Sequence, residues 1–445
     1  DLSIADGSGG SAGLASNYSL NSTVINITQR VLNSSGSKVY DANTDAIASS
    51  ITLSNLAGSE TLSHSGTASV SSANAGSYTI SNLSGISLSN GTGSASNYTL
   101  TAGTHSFTVN RRIISVSGTR LYDATTNATS SDLSTHSNLV SSQTLVLSGT
   151  GILTNKNVES NKTVSVGSLS LGDGSNGGLA SNYTLSGGTH QLTITQRPLV
   201  ATLLRQYDGT TNAGSSSLSS FNDLQGGENL NLSGSGISTS ANVANAISLS
   251  SNGDLALADG SGSSAGLASN YSLTSTSINI TKRILNSSGS KSYDANTNAS
   301  SSNLTLSNIV DGESLSHSGT ASTSSANASS YTIINLSGIT LSDGTGSASN
   351  YTLSGGTHNF TVNKRDLIAT LSRQYDSTST ALGSDLSSFN DLQNSETLSL
   401  SGSGTVISSD VANGLVLNSL GNLALVNGTG IASNYNLNSG ILNIS

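Results

Sequence analysis

A spaced signature occurs five times along this chain and constrains it more than any other feature: Arg, seven residues, a basic residue, any residue, then Tyr-Asp. The copies begin at Arg30, Arg112, Arg197, Arg283 and Arg365, and their second basic residues are Lys38, Arg120, Arg205, Lys291 and Arg373. The pairs are Tyr40-Asp41, Tyr122-Asp123, Tyr207-Asp208, Tyr293-Asp294 and Tyr375-Asp376, spaced 82, 85, 86 and 82 residues apart. A period of that length makes the chain a tandem array, and the repeat must be read before any local structure. A second marker keeps the same beat, with Asn-Tyr at Asn17-Tyr18, Asn97-Tyr98, Asn182-Tyr183, Asn270-Tyr271, Asn350-Tyr351 and Asn434-Tyr435.

The markers divide the chain into the last part of one module over 1–30 and whole modules over 31–112, 113–197, 198–283, 284–365 and 366–445. The text opens at Asp1 in mid-module and is expected to be a window on something longer. Apolar and polar residues alternate before each junction, as in Phe107-Thr-Val109-Asn, Leu192-Thr-Ile194-Thr, Ile278-Asn-Ile280-Thr and Phe360-Thr-Val362-Asn. Such alternation marks half-buried strands. A second alternating run, such as Ile86-Ser-Leu88 or Leu423-Ala-Leu425, leads into Asp-Gly or Asn-Gly, the dipeptides suited to tight turns with positive φ. Short strands between turn signals predict an all-β fold: a tandem array of immunoglobulin-like, antiparallel β-sandwich modules of about 80–86 residues. The alternative is a continuous β-helix or solenoid, disfavoured because no repeat of about 20 residues is visible. No linker separates the modules, so the last strand of one is expected to run almost directly into the next.

Only 9% of residues are charged, and the net charge of −9 is spread over 445 residues. Ordinary globular domains carry about 25% charged residues, so the surface here must be mostly Ser, Thr, Asn and Gly. The basic residues sit singly or in pairs, which excludes the basic stripe that nucleic-acid binding requires. With no cysteine there is no disulfide, zinc-thiolate site or thiol nucleophile. No apolar run is long enough to span a membrane as a helix.

Lys156-Asn-Val-Glu-Ser-Asn-Lys-Thr-Val-Ser-Val, the Leu-Ser-Leu run at 169–171, Asn182-Tyr183-Thr-Leu and Leu-Thr-Ile-Thr-Gln-Arg-Pro-Leu ending at Leu199 together resemble the YDG domain. That domain is found in tandem in large filamentous-haemagglutinin-like exoproteins of Gram-negative bacteria. The name motif is intact only at Tyr207-Asp208-Gly209; its third position is otherwise Ala42, Ala124, Ala295 or Ser377. The resemblance implies a secreted, surface-associated protein, often exported by two-partner secretion. It carries over no catalytic or binding residue.

The candidate chemistry is correspondingly thin. Each Tyr-Asp carboxylate could hold a cation or glycan, but one carboxylate among neutral neighbours is a poor calcium site, and an Asx-turn explains it better. The loops at Asp6, Asp173, Asp259 and Asp343 resemble calcium turns, yet Asn90 and Asn427 replace the charge in other copies. His105, His190 and His358 recur at one strand position and His64 and His317 at another, none with a partner at metal-ligand spacing. No catalytic triad, phosphate loop or dinucleotide fingerprint is present, so no catalytic, cofactor or metal residue is assigned and an enzyme is not expected. Asn-x-Ser/Thr sequons abound, including Asn17, Asn26, Asn33, Asn97, Asn279 and Asn350.

Thirteen of the fifteen basic residues lie at the junctions: the ten of the signature with Arg111, Lys282 and Lys364, leaving only Lys156 and Lys162 elsewhere. The leading Arg is therefore expected to seal the seam between consecutive modules, and the second basic residue to support the Tyr-Asp turn by pairing with Asp. Two functions fit. One is a repetitive, semi-rigid extracellular stalk of a bacterial adhesin, whose partners are neighbouring modules, with a host or neighbouring-cell surface reached through regions outside this window. The other is a self-assembling subunit of a fibre, sheath or biofilm matrix that meets identical chains; an enzyme or glycan-binding module ranks third. Because the Asp-Gly turns tolerate Asn, EDTA is expected to leave the melting temperature unchanged, which a thermal melt checks directly.

Overall fold

The computed structural model describes residues 2–445. It is built from β-strands and three-residue 3-10 turns, without α-helix among the described residues. Two compact units make it up: Asp1–Arg197 with Ser269–Tyr271, and Pro198–Ala268 with Ser272–Ser445.

In the first unit, the repeat that follows Arg30 forms β1 (Arg30–Val31), β2 (Asn33–Val39), β3 (Asp45–Ile47), β4 (Ile51–Ser54), β5 (Leu62–Val70), β6 (Gly76–Asn82), β7 (Ile86–Asn90), β8 (Tyr98–Thr99) and β9 (His105–Asn110). Their hydrogen-bonded order is β3-β5-β6-β9-β2-β4, with β7 also on β5. The first long strand and the last lie side by side in the middle and run parallel, from Ser34 opposite His105 to Val39 opposite Asn110. The other pairings in that sheet are antiparallel. The same central parallel pair recurs at Ser117–Leu121 with Gln191–Thr195 in the first unit. In the second unit it recurs at Ser287–Ser292 with His358–Asn363 and over Arg365–Arg373 with Tyr435–Ile444.

The modules are β-sandwich repeats, as the alternation predicts, but they are not antiparallel throughout. The correction has a plain cause. A parallel pair cannot be joined by a hairpin and needs a long crossover, and the strands between β2 and β9 supply it. A second, smaller layer comes from two-stranded ribbons such as Leu145–Ser148 with Ser170–Asp173 and Leu398–Ser401 with Ala424–Asn427.

Alternation decides what is buried. The residue two after each leading Arg (Leu32, Ile114, Leu199, Leu285 and Leu367) is fully buried, as are Phe107, Val109, Leu192 and Ile194 on the paired last strands. One residue separates the last strand of a repeat from the next leading Arg, at 111, 196, 282 and 364. Residues 2–29 join no sheet, and Ile27 is 92% exposed while Ile280, at the same place in near-identical text, is buried. The strand partners that cover Ile280 have no counterpart beside Ile27 among the described residues.

The central strand comes in two versions, separated by the residue two before the second basic position. In three repeats it is Gly36, Gly118 or Gly289, and a Cβ there would stand 2.3, 1.7 or 2.0 Å from the carbonyl oxygen of Ser50, Asp132 or Asn303. The edge strand packs flush against that bare backbone, without a register shift. In the other two it is a buried Leu203 or Leu371, and there the edge-strand pairing shifts register at that residue. One side chain thus dictates a β-bulge. Gly289→Ala is expected to lower stability by about 1–3 kcal/mol through overpacking, measured by denaturant melts; Leu371→Gly should lose stability as well, through the cavity it opens.

Candidate functional site

The signature residues gather where one repeat meets the next. Each Tyr-Asp aspartate builds a local turn: its Oδ1 accepts the backbone N–H two residues on, at Asn43, Thr125, Thr210, Asn296 and Thr378, over 2.9–3.2 Å. The residue between is left-handed in every copy, with φ of 66° at Ala42, 62° at Ala124, 78° at Gly209, 59° at Ala295 and 63° at Ser377. Glycine suits that conformation without strain. The second basic residue pairs with the same carboxylate, Lys38–Asp41 at 2.9 Å, Arg120–Asp123 and Lys291–Asp294 at 2.7 Å, and Arg205–Asp208 and Arg373–Asp376 likewise. The contact from Thr378 N–H, with Arg373 adding to it, holds the Asp376 carboxyl below its usual range. The arginine versions bury an unpartnered Nε at Arg120, Arg205 and Arg373 that the lysine versions do not have.

Leading Arg and second basic residue do not share a site within one repeat; the leading Arg reaches back instead. Arg112 Nη1 donates to the carbonyl of Tyr40, Arg197 to Tyr122, Arg283 to Tyr207 and Arg365 to Tyr293, over 3.1–3.4 Å. The rest of the guanidinium is fixed by its own repeat: Asn138 carbonyl and Oδ1 for Arg112, Asn308 for Arg283, and the Asp391 carboxylate at 2.7 Å for Arg365. A bidentate anchor of this kind suits the planar fork of Arg rather than Lys.

The tyrosines meet across the same seam. In the first unit Tyr40 stands edge-to-face on Tyr183 with ring centroids 5.4 Å apart, and Tyr122 on Tyr271 at 5.2 Å. In the second unit Tyr207 stands on Tyr351 at 5.4 Å and Tyr293 on Tyr435 at 5.2 Å. Each such pair adds about 0.5–1.5 kcal/mol beyond its burial. One side chain bridges the two hydroxyls: Glu396 accepts from Tyr293 and Tyr435, both at 2.6 Å, Glu313 accepts from Tyr207 and Tyr351, and Gln143 plays this part for Tyr40 and Tyr183. Burial first, then the Glu contact, raises Tyr293 and Tyr351 to about 12 and Tyr435 further.

The Asn of four Asn-Tyr pairs completes the clasp. Asn182 Oδ1 accepts Ala75 N–H at 2.7 Å and its Nδ2 donates to Asn74; Asn270 does the same to Val158 and Asn157, Asn350 to Val243 and Asn242, and Asn434 to Ala328 and Asn327. The Asp-Gly and Asn-Gly turns place it: Asp173, Asp259, Asp343, Asn90 and Asn427 each accept, through Oδ1, the Ala N–H that opens the Ala-Ser-Asn turn, over 2.7–2.8 Å. That job needs one acceptor and no charge, which is why Asn serves as well as Asp.

The remaining candidates are structural in place. His105 and His358 bridge a Ser Oγ on the first strand to the Leu100 or Leu353 carbonyl, and His190 accepts Val116 N–H on Nδ1 while donating to Leu185. His64 and His317 each face two backbone carbonyls. No group of three or more metal-capable side chains occurs among the described residues. Of the sequons, Asn350 is buried in a seam, whereas Asn17, Asn26 and Asn97 are exposed.

Sequence reasoning missed the bridging position, although Glu60, Gln143, Glu228, Glu313 and Glu396 recur 20 or 21 residues after each Tyr of the signature. The drift by one residue hid it.

The YDG-domain family model matches residues 26–106, 108–192 and 279–358, more than half of the chain. The chain belongs to the YDG-domain family. No curated protein matches it. These YDG repeats match the family in the copies that carry Gly at the central-strand position, and the two unmatched repeats carry Leu203 and Leu371 there.

The raised tyrosines fix the sign of a pH effect. Their folded-state values lie above the free value near 10, so the seam contribution is fully present below pH 10 and is lost as pH rises toward 12. Absorbance titration at 295 nm is expected to show a late tyrosine fraction that ionises together with unfolding; Glu396→Gln should shift that fraction to lower pH.

Proposed function

We propose that this chain is a non-catalytic, load-bearing stretch of a bacterial surface exoprotein: a repetitive extracellular stalk that holds a binding region away from the cell. The observation that carries the reading is the seam. In the second unit a single hydrophobic cluster contains Tyr293, Leu304, Phe360 and Val362 of one repeat together with Leu398 and Tyr435 of the next. Another joins Leu203, Tyr207 and Ile278 to Leu285 and Tyr351. In this unit consecutive repeats share a core and a polar clasp, where beads on a string would have only a linker.

Strand direction supports the same reading. Because the first and last strands of a repeat run parallel, the chain enters at one end of the repeat and leaves at the other, so added repeats add length. Secretion, filamentous-haemagglutinin-like context and export by two-partner secretion belong to this proposal. They fit a cysteine-free chain of small polar residues with no helix long and apolar enough to cross a membrane among the described residues.

Small-angle scattering on the native chain and on Arg283→Ser tests the stalk reading. The native chain is expected to resist bending at its seams and the variant, which loses the guanidinium hydrogen bonds to Tyr207 and Asn308, to flex. If both scatter as freely jointed beads, the stalk reading fails.

A further inference from the structure

Each of the four ring pairs sets two phenols in contact, in a chain that has no cysteine with which to staple them. Within the first unit Tyr40 meets Tyr183 and Tyr122 meets Tyr271; within the second Tyr207 meets Tyr351 and Tyr293 meets Tyr435. Their centroids stand 5.2–5.4 Å apart with the planes inclined by 75–77°, so the ring edges touch. All of these rings are buried. Tyr18 and Tyr375, by contrast, are 67% and 54% exposed and have no ring partner among the described residues.

The hydroxyl ends converge as well. In the second unit a single carboxylate takes both hydroxyls of a pair: Glu313 accepts from Tyr207 at 2.5 Å and from Tyr351, and Glu396 accepts from Tyr293 and Tyr435 at 2.6 Å each. The ring carbons beside the hydroxyls are thereby held on the same side. Both acids are half-buried, which gives a proton leaving either hydroxyl a way out to solvent. Between Tyr40 and Tyr183 the shared side chain is Gln143, a neutral amide that cannot serve as a base.

We propose that the paired tyrosines are oxidative cross-linking sites, joined ring to ring as dityrosine by a diffusible one-electron oxidant, with Glu313 and Glu396 taking the phenolic protons. Each phenol of a pair gives one electron to the oxidant and its hydroxyl proton to the carboxylate it already donates to, which passes the proton on to solvent. The two phenoxyl radicals couple through the carbons ortho to their oxygens, forming one C–C bond. The hydrogen on each coupled carbon then moves to that ring's oxygen and restores a phenol. Two electrons and two protons leave per bond, and no oxygen is gained. Radicals formed in contact need no encounter, so coupling outruns their other fates. The bond restricts the unfolded chain as a disulfide does, and it rests on seam geometry whether or not the chain is a stalk.

Photolysis of the dilute native chain with ruthenium tris-bipyridine and persulfate as the one-electron oxidant tests the proposal, read by peptide mapping and intact mass. The expected products join Tyr207 to Tyr351 and Tyr293 to Tyr435 in a chain that runs as a monomer on a denaturing gel and has lost two hydrogens per bond. Tyr293→Phe should lose the second link and keep the first. Glu396→Gln, which keeps a two-ended bridge, should make the Tyr293–Tyr435 link trail the Tyr207–Tyr351 link formed in the same molecule. Links confined to the exposed Tyr18 and Tyr375, or paired rings that gain oxygen without joining, overturn the proposal. An undiminished Tyr293–Tyr435 yield in Glu396→Gln overturns the part assigned to the carboxylates. The native map needs no variant, so it decides the cross-link even if a variant fails to fold.

Discussion

The parallel pairing of the first and last strands of each repeat is the constraint on which the rest depends. Were that pair antiparallel, the chain would return to the end it entered, and the next leading Arg could not lie beside the preceding Tyr-Asp turn. With it parallel, Tyr40 N–H bonds the carbonyl of Asn110 at the exit, so the Tyr and the following Arg112 are delivered to one place. The crossover that the geometry demands, β3 to β8 in the first repeat, also carries the bridging Glu or Gln and the turn that presents Asn-Tyr. Topology and seam are therefore one design.

The seam explains an odd composition. A chain with so few charges uses them where geometry is needed: basic side chains fix turns and strand exits, and the seam acid accepts from two phenols. A carboxylate withdrawn in part from water is costly unless hydrogen-bonded, and the half-buried Glu313 and Glu396 each receive two hydroxyl donors. Gln143 makes a related bridge without charge, donating to Tyr40 and accepting from Tyr183. The requirement is thus for a two-ended polar side chain of that length, and the charge is secondary.

Much of this was legible in the sequence and some was not, for identifiable reasons. Residues at fixed offsets, such as Arg30, Lys38, Tyr40 and Asp41, announce themselves, and alternation marks Phe107 and Val109 as core. Strand direction is different, because side-chain alternation is the same in parallel and antiparallel strands. Nothing local in Ser34–Val39 says that its neighbour is His105–Asn110. The reach of Arg112 to Tyr40 spans 72 residues and depends on that direction, so the expected role of the leading Arg could be stated while its acceptor could not. Gly36 against Leu203 was visible as a difference but gains meaning only once the edge strand beside it is known.

A module of about 80 residues buries a modest share of its surface and would be marginal alone. In repeat arrays stability is the sum of intrinsic terms and nearest-neighbour interfaces, and here the interface term is unusually explicit: a ring pair, a bound carbonyl and a clasped Asn, with bridged hydroxyls at the seams of Tyr40, Tyr207 and Tyr293. The cores that run through Tyr293 and Tyr435, and through Tyr207 and Tyr351, make that term apolar as well as polar. A repeat so coupled does not open without uncovering part of its neighbour. In the proposed stalk, resistance to bending would come from the same contacts that stabilise the repeats on either side of a seam rather than from a separate device.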